Sequence, residues 1–352
     1  MSKINLCVIF GGASSEHDVS LLSAASILRN LDLTRYTVHK IGISKSGGWY
    51  YYTGNAEGMS QLNDPKAWTF DRAVISPDRD EKAILRFTDE GVVKYPIDVV
   101  FPVLHGKNGE DGTIQGLFEL AGIPYVGSGV IGSAVCMDKC MAKAMFERAG
   151  IPQAAWVEMK HGERKISEVE EKLGYPCFVK PANAGSSVGV TKAHDREELE
   201  RGIALAFEND DKVLVEEMMY GAEVECSVIG NLRPECAKAL GEIAPAAEFY
   251  DYDAKYNDEN SVLTIPAKID GALADKVRSY AKAAYLACEC RGLSRVDFFV
   301  NKETDDVRLN EINTLPGFTS ISMYAKLWEA SGLPYGELVD RLIQNALCPE
   351  EG

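Results

Sequence analysis

Apolar and polar positions alternate along the amino-terminal third of the chain in the manner of strands and helices. The apolar run Ile4–Phe10 ends at Gly11-Gly12, which predicts a buried first strand and a turn into a helix. The helix is expected to begin near Ser15, because Ser15 and Asp18 have the spacing of a capping box. Strand–helix alternation of this kind predicts an open α/β layer that binds ligands at the carboxyl ends of its strands.

Two further stretches mix strands and helices in their own patterns. The chain has 352 residues, more than one hydrophobic core usually supports, so we expect domains at 1–128, 129–220 and 221–352. No repeat or low-complexity linker separates them, which favours close packing. Further strands are predicted at 38–43, 98–104, 177–180, 212–215, 225–230, 295–300 and 307–313, and further helices at 112–121, 137–147, 196–207, 273–288 and 336–346.

Charge and cysteine usage exclude several classes of function. The net charge of −16 disfavours nucleic acid as a partner, although a local lysine cluster can still bind a nucleotide. No apolar run approaches the roughly 18 residues of a membrane span, and the amino terminus lacks a signal-peptide pattern. The nine cysteines contain no CxxC pair, which favours reduced thiols in the cytoplasm. A thiol metal site at Cys136/Cys140 or Cys288/Cys290 is the less favoured interpretation.

A glycine- and serine-rich loop follows the predicted strand that ends at Lys180. The loop 181–189 contains Gly185-Ser-Ser-Val-Gly189, and glycines allow several backbone N–H groups to approach one phosphate. The order of residues is not that of a Walker A loop. Such a loop is often a plain turn, so the preceding lysine is what favours a phosphate site.

Polar side chains interrupt two apolar strands near the carboxyl end. Asp297 lies within one strand, and Glu311 and Asn313 share a face of the next. Three oxygen ligands of this kind suit magnesium. The alternative is a solvated sheet face, but Arg295 and Asp297 lie among apolar neighbours and need partners there.

Two other features are consistent with a catalytic site. A Pro316-Gly317 turn follows the predicted metal ligands and can aim backbone N–H groups at a reacting oxygen. His105 lies at a strand end in a glycine-rich loop, where a functional role is more common than elsewhere.

These motifs, taken in order, resemble the D-alanine–D-alanine ligase family of the ATP-grasp superfamily over nearly the whole chain. The resemblance implies an α/β protein with an amino-terminal open parallel domain and two sheet-containing lobes that enclose ATP. The matching segments are Gly11–Ser20, Leu104–Thr113, Met137–Lys139, the Lys180 loop, Phe249–Tyr256 and Asn310–Thr319.

The resemblance implies formation of D-alanyl-D-alanine for peptidoglycan synthesis. The first D-alanine carboxylate would attack the γ-phosphate of ATP, and the amine of the second would attack the resulting acyl phosphate. Two Mg²⁺ ions, replaceable by Mn²⁺, would assist. A cytoplasmic homodimer is the expected assembly, with D-alanine and ATP as its ligands and no nucleic-acid or membrane partner.

The resemblance also implies a role for each matching residue. Nucleotide contacts fall to Lys139, Lys180, Ser186, Ser187, Val188, Glu216, Glu217 and Glu223. Metal contacts fall to Asp297, Glu311 and Asn313. The first substrate would be bound by Glu16 and His105, and the second by Lys255, Ser322 and Met323. Arg295 and Gly317 would stabilise the oxyanion, and Ser186 and Tyr256 would connect to Glu16.

The identity of the second substrate depends on fewer residues. Lys255-Tyr256 is typical of family members that form an amide, and Met323 is typical of those that use D-alanine. Ile321 and Ala325 depart from the histidine and proline of many relatives, which leaves D-serine as the alternative acceptor. The segment 248–261 is expected to form a lid that protects the acyl phosphate from water.

The sequence disfavours two other classes of protein. A non-catalytic nucleotide-binding protein is disfavoured because Arg295, Asp297 and Glu311 are all present. A nicotinamide oxidoreductase is disfavoured because no GxGxxG sequence follows the first strand.

Overall fold

The computed structural model of the protein describes residues 3–185, 188–244, 262–319 and 321–349. The strands of these residues form three sheets. The first sheet contains β1 (Ile4–Gly11), β2 (Tyr36–Ile43), β3 (Trp49–Tyr51), β4 (Arg72–Ile75), β5 (Ala83–Thr88), β6 (Gly91–Pro96) and β7 (Val99–Val103). The second contains β8 (Trp156–Lys160), β9 (Cys177–Pro181), β10 (Thr191–Ala193) and β11 (Lys212–Glu217). The third contains β12 (Ala222–Gly230), β13 (Glu235–Cys236), β14 (Gly241–Ala244), β15 (Val262–Thr264), β16 (Gly292–Asn301) and β17 (Asp306–Asn313).

Helices cover the faces of these sheets. None of the helices in the described ranges is long and apolar enough to cross a lipid bilayer. The α-helices are α1 (His17–Asn30), α2 (Thr113–Ala121), α3 (Val130–Met137), α4 (Lys139–Arg148), α5 (Ile166–Lys172), α6 (Arg196–Phe207), α7 (Gly271–Ala287), α8 (Met323–Ala330) and α9 (Tyr335–Leu347).

The first sheet is mixed rather than fully parallel. Its order is β6-β5-β4-β3-β2-β1-β7, and only β7, β1 and β2 run parallel. The remaining strands extend the sheet in antiparallel fashion. The connection between β5 and β6 is only two residues long, and so short a connection permits only an antiparallel hairpin. The predicted α/β class is confirmed, but the parallel part of this sheet is restricted to three strands.

The second and third sheets are antiparallel throughout. Each has one apolar face and one polar face, as strand alternation requires. In the third sheet, Val224, Val296 and Ile312 belong to a buried cluster that also includes residues of α7. The opposite face carries the predicted metal ligands. Each predicted domain segment contains one sheet, and the domain boundaries themselves stay predictions.

Two local details of the helix predictions were wrong. The helix predicted at 137–147 is α4, but it begins at Lys139, because Asp138 is its N-cap and accepts hydrogen bonds from the N–H groups of Cys140 and Met141. The first helix has no capping box at Ser15. Glu16 precedes α1 without a side-chain capping bond, and its carboxylate lies against Gly106 and Gly185.

Candidate active site

A cavity lies where α4 meets the second and third sheets. Lys180 and Glu216 reach it from one face of the second sheet, because Lys180 pairs with Leu214, two residues before Glu216. Lys139 and Lys143 reach it from one face of α4, since they are four residues apart. The residues that line the cavity are Cys136, Lys139, Ala142, Lys143, Lys180, Leu214, Glu216, Asn310 and Glu311.

Glu216 is held between two lysines inside this cavity. Its Oε1 lies 2.6 Å from Lys143 Nζ and its Oε2 lies 2.5 Å from Lys180 Nζ. Burial favours the neutral acid, yet the two ammonium groups outweigh it and lower the pKa of Glu216 to about 2. Glu216 is therefore ionised at neutral pH. With Lys139, three lysines line the cavity against two carboxylates, Glu216 and Glu311, and this surplus of positive charge suits the phosphates of a nucleotide.

The first half of the loop 181–189 is held in place by hydrogen bonds from Lys139, the first residue of α4. Lys139 N–H donates to the Ala182 carbonyl at 3.0 Å, and Lys139 Nζ donates to the Ala184 carbonyl at 2.7 Å. Asn183 N–H donates to Asp210 Oδ2 at 2.7 Å. Val188 is 41% exposed at the other end of the loop. The predicted phosphate contacts Ser186 and Ser187 lie outside the described residues.

The predicted metal ligands share the polar face of the third sheet. Asp297 pairs directly with Glu311 across β16 and β17, and Asn313 pairs with Arg295. The register shifts after Asp297, so Asn310 has no partner on β16. This bulge explains how consecutive residues, Asn310 and Glu311, both line the cavity, whereas regular alternation would separate them.

Arg295 links this face by ion pairs. Its Nε lies 2.8 Å from Asp297 Oδ1 and 3.1 Å from Glu225 Oε2, and its terminal nitrogen lies 2.7 Å from Asp297 Oδ2. Asp297 is 1% exposed. A buried carboxylate needs such a partner, and the bidentate geometry fixes the guanidinium plane.

The chemistry of the donor set fits a hard divalent cation. Asn313 Nδ2 donates to Asp297 Oδ2 at 2.9 Å, so its amide oxygen is the atom available for ligation. Carboxylate and amide oxygens are the ligands that Mg²⁺ prefers. No group of three His, Cys, Asp or Glu side chains with metal-site geometry occurs in the described ranges. The predicted set has two carboxylates and one amide, so the ion would take further oxygens from phosphates or water.

Glu16 occupies a pocket between two glycine loops. A Cβ added at Gly106 would lie 2.5 Å from Glu16 Oε2, and one added at Gly185 would lie 3.0 Å away. Gly106 also has a φ of +73°, which disfavours other residues. The Glu16 carboxylate therefore lies against the loop after β7 and against the lysine-anchored loop. Its position directly before α1 adds the favourable field of a helix amino terminus.

His105 and Glu110 connect this pocket to the loop after β17. His105 Nδ1 donates to the Leu315 carbonyl at 2.9 Å, and its Nε2 lies 3.2 Å from Ser23 Oγ. Burial lowers the pKa of His105, so it is neutral, and the carbonyl fixes the tautomer with the proton on Nδ1. Glu110 Oε2 and Oε1 accept the N–H groups of Gly106 and Leu315 at 2.6 and 3.2 Å.

Glu110 is a buried acid in carboxylate-rich surroundings. Burial and then the charge of Glu16 raise the pKa of Glu110 to about 8, against the opposing effect of its two N–H donors. The Glu16 carboxylate next to this acid suits the ammonium group of an amino acid.

Gly317 and Ser322 lie side by side beyond this pocket. A Cβ at Gly317 would lie 3.0 Å from Ser322 Oγ, which also accepts the Thr319 N–H at 3.0 Å. Met323 is buried, and a Cβ added at Gly241 would lie 2.5 Å from its sulfur, so it packs beside β14. Ile321 is 67% exposed.

The other predicted residues divide into two groups. Glu217 accepts the Ala155 N–H at 2.8 Å and pairs with Arg308 at 2.7 Å, at the end of β11. Glu223 on β12 is close enough to Lys180 for its charge to favour the lysine ammonium. Lys255, Tyr256 and the predicted lid at 248–261 lie outside the described residues.

Sequence reasoning assigned no role to four residues that hold the site together. Lys143 could have been predicted from the sequence, since it lies one helical turn after Lys139 and so on the same face of the helix. Glu225 alternates with Glu223 on a strand and so shares its face. Glu110 lies in a motif already noted. Ser23 is an ordinary helix residue, and its partner is distant in sequence, so no local signal reveals it.

The cysteines are free thiols in the described ranges. Cys136 lies beside Cys290, with 3.5 Å between the sulfurs. Cys140 packs in a different cluster, with Ala182 and Leu214. The fold therefore does not bring Cys136 and Cys140 together as the less favoured interpretation requires.

The two antiparallel sheets, with a lysine-lined cavity between them, have the ATP-grasp architecture. Family models described as D-ala D-ala ligase N-terminus and C-terminus match residues 5–128 and 145–344. The D-alanine–D-alanine ligase of Ruminiclostridium cellulolyticum is 50% identical over 98% of this chain and 96% of that protein.

Solved structures agree with this assignment. The VanG D-Ala:D-Ser ligase from Enterococcus faecalis has a TM-score of 0.88 and 39% identity, covering 97% of this chain and 99% of that one. The D-alanine–D-alanine ligase from Bacillus anthracis complexed with ATP has a TM-score of 0.74 and 29% identity, covering 99% and 100%. The chain belongs to the D-alanine–D-alanine ligase family, which confirms the resemblance seen in its motifs.

Proposed function

We propose that this protein joins two molecules of D-alanine in an ATP-dependent reaction that yields D-alanyl-D-alanine. The observation that carries the proposal is that one loop, 181–189, adjoins both halves of the site. Lys139 Nζ donates to Ala184 in this loop, and the Glu16 carboxylate lies against Gly185. A phosphate bound by the lysines and an ammonium bound by Glu16 would therefore meet across a single loop.

The first step transfers a phosphoryl group to the first D-alanine. Its carboxylate oxygen attacks the γ-phosphorus, the bond to the β-phosphate oxygen breaks, and ADP leaves. Lys139 and Lys180 would stabilise the phosphoryl oxygens, which is largely a task of position and charge. Glu16 would hold the ammonium group, with His105 beside the same substrate. Glu216, Glu217 and Glu223 would face the nucleoside, and Ser186, Ser187 and Val188 would cover the phosphates.

The second step forms the peptide bond. The amine of the second D-alanine attacks the acyl phosphate carbonyl, loses a proton, and inorganic phosphate leaves. Arg295 and the Gly317 N–H would stabilise the oxyanion. Ser322, Lys255 and Met323 would form the acceptor site, and Tyr256 and Ser186 would connect to Glu16 when the site closes.

The residues that would hold two Mg²⁺ ions are Asp297, Glu311 and Asn313. Bound there, Mg²⁺ or Mn²⁺ supplies positive charge for the phosphoryl oxygens. The protein groups keep the carboxylates in place, chiefly through the ion pairs of Arg295 with Asp297 and Glu225.

D-Serine is the second candidate for the acceptor. Ile321 is 67% exposed and replaces the histidine of many relatives, and a solved relative is a D-Ala:D-Ser ligase. Met323 favours D-alanine by the resemblance, and curated relatives of about half identity are D-alanine–D-alanine ligases.

The expected setting is the cytoplasm, where the dipeptide would supply peptidoglycan synthesis. The free thiols of the described residues are consistent with a reducing compartment. A homodimer is the expected assembly, and light scattering during size-exclusion chromatography would measure it.

The decisive test supplies the protein with ATP, Mg²⁺ and D-alanine and follows phosphate release and product mass. We expect one phosphate per D-alanyl-D-alanine, with little change when D-serine or D-lactate is added. A predominantly mixed product would favour the D-serine candidate. No turnover with any D-amino acid would contradict the proposal.

A further inference from the structure

We propose that Glu110 is a positioning residue that holds the Gly317 N–H in the geometry required to stabilise the oxyanion. The inference rests on the proposed function, because it deepens the role given there to Gly317. It starts from the segment Leu315–Phe318, which joins β17 to the acceptor side of the site. Glu110 belongs to the loop after β7, 205 residues away in sequence from Leu315.

The segment has three backbone N–H donors, because Pro316 has none. Leu315 N–H donates to Glu110 Oε1 at 3.2 Å, and Phe318 N–H donates to Ser23 Oγ at 3.1 Å. Both flanking donors are therefore taken by side chains of the amino-terminal sheet region. No residue within the described ranges accepts the Gly317 N–H. It is the donor of this segment that remains for a ligand.

The carbonyl groups of the segment are fixed in the same way. His105 Nδ1 donates to the Leu315 carbonyl at 2.9 Å, and Tyr335 Oη donates to the Phe318 carbonyl at 2.6 Å. The Leu315 peptide groups are thus held on both sides by one loop, 105–110. Since the segment is not part of a strand or helix, these bonds determine where Gly317 points.

Glu110 differs from the other anchors because it also fixes its own loop. Its second oxygen accepts the Gly106 N–H at 2.6 Å, and Gly106 lies against the Glu16 carboxylate. One side chain therefore sets the spacing between the ammonium site at Glu16 and the N–H of Gly317. A glutamine has a single acceptor oxygen and cannot accept both N–H groups.

The test compares Glu110→Gln with Glu119→Gln, a matched control on α2 whose side chain accepts the Tyr125 hydroxyl. We expect Glu110→Gln to lower kcat for dipeptide formation roughly 10- to 100-fold, below the loss of an entire oxyanion donor. KM for ATP should stay within about 2-fold, because the lysine cavity is untouched. Phosphate released per dipeptide should rise above one, since a slower second step exposes the acyl phosphate to water.

Hydrogen exchange provides a readout that does not depend on activity. Amides in a peptide covering 314–319 should exchange faster in Glu110→Gln than in the unaltered protein, whereas a peptide covering β12 should not change. Ser23→Ala should produce a smaller effect in the same peptide. Unchanged exchange at 314–319, or unchanged kcat and coupling, would overturn the positioning role. Absence of dipeptide from the unaltered protein would instead contradict the proposed function.

Discussion

Two buried carboxylates of the site have opposite electrostatic surroundings. Glu216 lies between Lys143 and Lys180 in the lysine cavity, where the two cations lower its pKa to about 2. Glu110 lies near Glu16, and burial together with that second carboxylate raises its pKa to about 8. The same side chain is therefore ionised in one region and largely protonated at neutral pH in the other.

The difference corresponds to the charge of the ligand that each region is proposed to bind. A cavity with surplus lysines would attract phosphates, and Glu216 holds Lys143 and Lys180 in place through its two ion pairs. The pocket that holds the Glu16 carboxylate would attract an ammonium group. The phosphates of ATP and the ammonium group of D-alanine would thereby be positioned before any reaction begins.

The largest expected difference between the two carboxylates is in the free energy of unfolding when each is replaced by glutamine. Glu216→Gln leaves two buried ammonium groups without their anion, so the free energy of unfolding at pH 7 should fall by about 3–5 kcal/mol. Glu110→Gln removes the cost of protonating a buried acid on folding but loses one N–H bond, so the net change should be within about 1 kcal/mol. Urea unfolding of the two variants measures both.

Activity assays accompany that measurement. Glu216→Gln should raise KM for ATP, because Lys143 and Lys180 lose the group that fixes their positions. Glu110→Gln should leave that KM nearly unchanged. Equal losses of stability in the two variants would mean that burial, and not the neighbouring charges, dominates both sites.

The pH dependence of stability should separate the two carboxylates next. The folded state favours ionised Glu216, so its contribution is complete above the ordinary pKa of 4.5 and is lost as pH falls toward 2. The folded state favours neutral Glu110, so its contribution is complete below 4.5 and is lost as pH rises through 8. The charged groups that act on Glu110 are the Glu16 and Glu311 carboxylates.

Unfolding experiments between pH 5 and 9 test the second half of this expectation. The stability of the unaltered protein relative to Glu110→Gln should decrease from pH 5 to about pH 8 and then level off. The same difference for Glu216→Gln should stay constant there and shrink only below about pH 4.5. A constant difference for Glu110→Gln up to pH 9 would show that Glu110 is ionised throughout.

Much of this site was predictable from sequence because local patterns encode it. Strand alternation placed Glu311 and Asn313 on one face, and the structure confirms that face next to Asp297. The lysine at the end of β9 was also evident. What sequence could not give were contacts between distant segments, such as Ser23 with Phe318 and Glu110 with Leu315.

Two errors of detail have the same physical origin. A capping box was expected at Ser15, but tertiary packing directs Glu16 toward Gly106 and Gly185 instead. The helix expected at 137–147 begins two residues later, at Lys139, because Asp138 caps α4 and pairs with Lys212 at 2.5 Å. In both cases a contact with another segment outweighs the local preference.

A smaller effect is expected when one of the two lysines is removed. Lys143→Met leaves Glu216 paired with Lys180, so the loss of unfolding free energy should be about 2 kcal/mol, as for a charged hydrogen bond. The pKa of Glu216 should rise, and the loss of stability in acid should begin at a higher pH. Arg148→Met, an exposed cation-to-methionine change on the same helix, is the matched control. Equal effects of the two changes would contradict the role of Lys143.

The smallest effect concerns Arg308, whose ion pair with Glu217 lies at the end of β11. The two side chains are 39% and 31% exposed, so water screens the pair and Arg308→Gln should cost only about 0.5–1 kcal/mol. That cost should vanish near 1 M salt, where the screening length is about 3 Å, whereas the cost of Glu216→Gln should persist. Urea unfolding at low and high salt measures both. A salt-independent cost for Arg308→Gln would mean that Glu217 acts chiefly through the Ala155 N–H. The contrast between lysine-rich and carboxylate-rich surroundings would then be confined to the buried groups.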